Sequence, residues 1–107
     1  MRISLCNEVI AEMPFERQCD FAARLGYDGI ELAPMTVSAE PHLLPQARRA
    51  DMRRAAADAG IAVTSLHYLL RAPEGLSITT ADRAQRARTI DVMRGLCDLT
   101  EIGRAHV

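Results

Sequence analysis

Phe15-Glu16-Arg17-Gln18-Cys19-Asp20-Phe21-Ala22-Ala23-Arg24-Leu25-Gly26-Tyr27-Asp28-Gly29-Ile30-Glu31-Leu32-Ala33-Pro34 holds a helix, its stop signal and a strand in one continuous stretch. Pro14 is acceptable in a first helical turn. Phe15, Cys19 and Ala22 repeat at the spacing of one helix face, and Phe21 and Leu25 widen it. Gly26 supplies a left-handed stop, and Ile30 to Ala33 reads as a short strand ending at Pro34.

The same unit recurs on both sides. Ile3 to Cys6 is a short β-type run before the first helix. Pro45 to Ala59 reads as a second helix, with Met52, Ala55, Ala56 and Ala59 inward and Arg48, Arg49, Arg53 and Arg54 on a solvated outer face. Gly60 ends it, and Ile61 to Leu66 is rich in β-branched residues, as strands are. Thr79-Thr80-Ala81-Asp82 matches a capping box; the helix that follows is expected to bury Ala87, Ile90, Met93 and Cys97. The order β-α-β-α-β-α, with strands starting roughly 30 residues apart, suits parallel strands joined by right-handed helical crossovers. Such units build either an open doubly wound sheet or a (β/α)8 barrel; the barrel needs about 250 residues, so three units cannot close one.

Composition narrows the function classes. The chain has 107 residues, 49% hydrophobic and 25% charged, with 13 basic against 14 acidic side chains. These are globular proportions, and a net charge of −1 exerts no global pull on nucleic acid or an anionic membrane. No apolar run reaches the roughly 20 residues of a bilayer span, and the N-terminus turns polar too early for a signal peptide. A cytoplasmic location is expected. Cys6, Cys19 and Cys97 lack metal-knuckle or disulfide-framework spacing and read as packing residues. Gly-x-Gly-x-x-Gly, a P-loop, a Gly-x-Ser-x-Gly elbow and His-Glu-x-x-His are all absent from the sequence.

Chemistry in a parallel α/β protein gathers where strands end. Those ends carry Asn7-Glu8, Glu31 and His67. Asn7 either caps a turn or faces the rim; Glu8 reads as a solvated loop residue. Glu31 interrupts an apolar strand, where a carboxylate is costly unless paired or touching a ligand. His67 is either a hydrogen-bonded core histidine or a rim ligand. The polar residues of the three ends are expected to converge in one cavity.

Phe15 to Pro34, Ala59-Gly60-Ile61-Ala62-Val63-Thr64-Ser65-Leu66-His67 and Ala72-Pro73-Glu74-Gly75-Leu76-Ser77-Ile78-Thr79 together resemble the sugar phosphate isomerase/epimerase family of xylose isomerase-like TIM barrels. The resemblance implies an α/β chain forming the first three βα units of a barrel over residues 1-100. It implies metal-assisted proton transfer next to the carbonyl of a small sugar or hydroxy-ketone. Glu31 and His67 would be rim residues that bind substrate or support the metal cluster, and Asn7 is a weaker substrate-binding candidate. The divalent ion of the full-length parent (Mn, Mg, Co or Zn) and the catalytic carboxylates belong to later strands. The chain alone is therefore expected to bind no metal through its own residues and to be inactive and poorly soluble, and the parent is open to homo-oligomerisation. Glu101-Ile102-Gly103-Arg104-Ala105-His106-Val107 resembles a translated sequencing adapter and is set apart as a non-native tail. The alternatives are an endonuclease IV-like DNA-repair barrel, disfavoured by the neutral charge, and a small α/β interaction module.

Overall fold

The computed structural model describes residues 1–103. Three parallel strands, β1 (Ser4–Cys6), β2 (Gly29–Leu32) and β3 (Ala62–Leu66), form a sheet in the order β1-β2-β3. Helices α1 (Phe15–Arg24), α2 (Gln46–Ala59) and α3 (Arg83–Leu99) alternate with them. The fold is α/β, with the strand-helix succession of a partial (β/α)8 barrel. Each start and stop has a local cause. Pro14 occupies the cap position of α1, and its carbonyl accepts from the Arg17 and Gln18 amides. Gly60 closes α2 at φ 71°, in the left-handed region where a side chain is strained. Asp82 caps α3 by accepting from the Ala84 and Gln85 amides. The cap is thus the last residue of the expected capping box rather than its first, Thr79, whose Oγ1 is engaged with Ser77 Oγ.

All three helices share one apolar layer with the sheet, in which Ile30, Leu32 and Val63 meet Phe15, Cys19, Met52, Ala56, Val92, Leu96 and Leu99. The other sheet face carries Ser4, Glu31, Thr64 and Ser65 and lies open. This inner face carries polar residues, and the outer edges of both β1 and β3 are unpaired among the described residues.

Three helix faces differ from the sequence reading. Phe21 and Leu25 are exposed, because α1 is buried along Phe15, Gln18, Cys19 and Ala22, and the Gln18 amide takes a bonding role inside. Arg49 is not on the solvated face: it is buried, with Nε donating to the Leu44 carbonyl at 2.9 Å. On α3 the buried stripe is Thr89, Val92, Leu96 and Leu99, whereas Ala87, Ile90 and Cys97 face out. Gly95 decides this. A Cβ there would meet His42 Cβ at 2.8 Å and its carbonyl at 2.9 Å, so α3 docks with its glycine against the Pro41–Leu43 turn and carries the neighbouring stripe inward. The chain leaves α3 through a 3-10 turn, Thr100–Gly103, whose Ile102 is buried in the core. Arg104 and His106, set apart with the tail, lie outside the described residues. Among the described residues no helix is long and apolar enough to cross a membrane.

Candidate functional site

Register builds the site. Cys6 pairs with Glu31 across β1 and β2, and Glu31 pairs with Ser65 across β2 and β3. The pairing shifts at Ile30/Glu31, so that Thr64 is an extra residue on β3, a bulge. Thr64 then bonds Ser4 Oγ at 3.0 Å and the Ile30 carbonyl at 3.3 Å, while Ser65 and His67 fall beside Glu31. The His67 amide donates to the Leu32 carbonyl, extending the ladder one step beyond β3.

Glu31 and His67 are brought together as the sequence predicts: His67 Nδ1 is 3.8 Å from Glu31 Oε2. Ser65 donates to Glu31 Oε1 at 3.2 Å, which leaves the second carboxylate oxygen to the imidazole side. Cys6 is the member that sequence reasoning missed. Its Sγ stands 3.1 Å from His67 Nε2 and 4.0 Å from Nδ1. One donor atom each from Cys6, Glu31 and His67 lie within 4.8 Å of one another. All three are half-buried on the open face rather than sealed in a cavity. Tyr68 follows at φ 58°, a left-handed conformation costly for a bulky residue, and its ring lies 5.5 Å from that of His67.

Asn7 stands apart from this group. The strand ends at Cys6 and a 3-10 turn begins at Asn7, so the alternation that put Asn7 on the rim breaks one residue too soon. It is fully buried. Its Oδ1 accepts from the Ala33 amide at 2.7 Å, and its Nδ2 donates to Gln18 Oε1 at 3.1 Å and Thr36 Oγ1 at 2.8 Å. With its hydrogen-bonding capacity engaged internally, Asn7 ties the end of β1 to the end of β2. Glu8 is exposed, as expected of a loop residue.

The donor set tests which metal the chain's own residues fit. A thiolate, an imidazole and a carboxylate suit zinc or cobalt, whereas magnesium and manganese prefer oxygen ligands. The resemblance places the metal ligands on later strands and names none within this chain; Cys6, Glu31 and His67 are far apart in sequence, and pairing of the strands assembles them.

A parallel sheet with helices on one face and polar groups at its C-terminal strand ends defines a segment of a (β/α)8 barrel. The chain is similar to the crystal structure of D-psicose 3-epimerase in the presence of D-fructose, with a TM-score of 0.70 and 22% identity, over 95% of this chain and 34% of that one. It spans about a third of that structure's length. At this identity the similarity establishes the fold. No family model and no curated protein matches the sequence.

Proposed function

We propose that the chain is the N-terminal part of a sugar (phosphate) isomerase/epimerase that moves a proton beside the carbonyl of a small sugar or hydroxy-ketone. The observation that carries this reading is the meeting of Glu31 and His67, 3.8 Å apart, at the ends of adjacent parallel strands, where barrel enzymes bind their substrates. The Glu31 carboxylate accepts from substrate hydroxyls, and the His67 ring orients a neighbouring oxygen. Asn7 acts as a positioning residue that fixes the strand ends. A bound divalent ion supplies Lewis-acid polarisation of the carbonyl. The similarity to an epimerase crystallised with D-fructose makes a ketohexose the first substrate to try. The second helix gives no support to a nucleic-acid groove, since Arg48 and Arg54 pair with Glu16 and Asp51 and Arg49 is buried.

In this reading residues 1-100 are one part of a longer barrel, and the proton-transferring carboxylates lie on later strands. Long-read sequencing across Thr100 should find the frame continuing without the 101-107 heptapeptide. The protein encoded by that frame, given D-fructose in heavy water, should incorporate deuterium at the carbon next to the carbonyl; the 107-residue chain should not. A frame that ends at Val107, or a longer protein that leaves ketohexoses unexchanged, overturns the proposal.

A further inference from the structure

We infer that Cys6, Glu31 and His67 form a binding site for a zinc-type divalent cation, in which Glu31 and His67 serve as metal ligands rather than as the direct substrate contacts of the proposed activity. A tetrahedral zinc ion with Zn–S near 2.3 Å and Zn–N or Zn–O near 2.0–2.2 Å sets its ligand atoms about 3.4–3.6 Å apart. The structure holds His67 Nδ1 at 3.8 Å from Glu31 Oε2 and at 4.0 Å from Cys6 Sγ. The three donor atoms all lie within 4.8 Å of one another, so closing onto an ion takes side-chain shifts of about 1 Å or less and a small turn of the imidazole. The ligands need no folding around the metal, because each stands at the end of a different strand and hydrogen-bonded pairing sets their spacing.

The surroundings agree with this assignment. Ser65 Oγ donates to Glu31 Oε1 and so orients Oε2 toward the other two ligands, the outer-ligand arrangement that tunes metal sites. Asn7, locked by three hydrogen bonds, fixes the chain immediately after Cys6. The open face gives the ion a path from solvent and leaves its fourth position to water, as at zinc sites with three protein ligands. The thiolate selects zinc or cobalt over magnesium.

The test is titration of the 107-residue chain with Co2+ alone, read by absorption, with circular dichroism recorded on the same samples. The expected result is one equivalent bound with a thiolate-to-cobalt band in the near ultraviolet, displaced by Zn2+ and untouched by excess Mg2+. Cys6→Ser should abolish the band and weaken binding more than about 100-fold, beyond the 10–100-fold typical of outer partners such as Ser65. Glu31→Gln should keep the band and weaken binding. Cys97→Ser and His106→Asn should change neither, which separates this site from a surface thiol or the C-terminal histidine. Absence of the band, or a band that survives Cys6→Ser, overturns the inference. Neither result depends on sugar turnover, so failure here leaves the proposed activity standing, and the reverse holds equally.

Discussion

Cys6 Sγ and His67 Nε2 lie 3.1 Å apart although 61 positions separate the two residues. Two sheet pairings produce that contact. β1 aligns Cys6 with Glu31, and the bulge at Thr64 turns Ser65 and then His67 toward them. The contact makes Cys6 unlike the other two cysteines, and a chemical test can show it.

Thiol reagents should distinguish three rates. Cys97 is exposed, Cys6 is half-buried beside an imidazole, and Cys19 is sealed in the core. Burial above all, with Asp20 and Glu16 adding repulsion, pushes the Cys19 thiol up from 9.0 to about 12. Only the thiolate reacts. At pH 8 the native chain should therefore label Cys97 first, Cys6 more slowly, and Cys19 only in denaturant, as peptide mass mapping would reveal. The raised value also has a sign for stability. The unfolded thiol ionises near 9.0 and the folded one near 12, so this contribution is intact below pH 9 and lost as the pH climbs toward 12. Labelling of Cys19 at the rate of Cys97 would refute the packing of α1.

Asn7→Ala should destabilise the chain by about 1–3 kcal/mol, the cost of leaving a buried partner such as the Ala33 amide unsatisfied. The measurement is urea unfolding. Asn7→Asp should also destabilise, because it replaces the Nδ2 donor that serves Gln18 and Thr36. An unchanged midpoint in both variants would show that Asn7 does not hold the strand ends.

Much of this architecture was legible in the sequence because local signals and apolar period agreed. Pro14, Gly26 and Gly60 punctuate the chain where α1 and α2 begin and end. Glu31 and His67 stood out as polar residues at the ends of apolar strands. Cys6 did not, because a cysteine in an apolar run looks like packing until the register shows its neighbours. The stripe Ile90, Met93, Cys97 and the stripe Thr89, Val92, Leu96, Leu99 both have helical period. Only the close approach of Gly95 to His42, a long-range fact, decides between them. Arg49 escaped for a similar reason: its Nε satisfies a carbonyl of the loop before its own helix, and no periodicity encodes that bond.

Arg48→Ala should cost less than about 1 kcal/mol near neutral pH, because its ion pair with Glu16 is more than one-third exposed and solvent screens it. The Arg48 hydrogen bond, then the residue's own backbone amide, hold the Glu16 carboxyl below its ordinary 4.5. A lowered carboxyl adds stability above its unfolded value and loses it as the pH falls through the folded one. The difference in thermal midpoint between the two proteins should therefore shrink below pH 4.5 and in high salt. A difference that persists in acid would assign the effect of Arg48 to packing instead.

Gly29→Ala should destabilise by about 1–3 kcal/mol, as overpacking does. Gly29 begins β2 on the open face, where a Cβ would stand 2.5 Å from Thr64 Cγ2, 2.8 Å from Ser4 Oγ and 3.0 Å from the Ala62 carbonyl. Thr64 cannot swing clear without losing its bonds to Ser4 and the Ile30 carbonyl, since a β-branched side chain has few χ1 choices. The added methyl therefore presses on the bulge that aims Ser65 and His67 at Glu31. Besides the lower unfolding midpoint, Gly29→Ala should weaken Co2+ binding at Cys6, Glu31 and His67, although it removes no ligand. Unchanged cobalt affinity together with a lowered midpoint would show that the bulge does not set the ligand spacing.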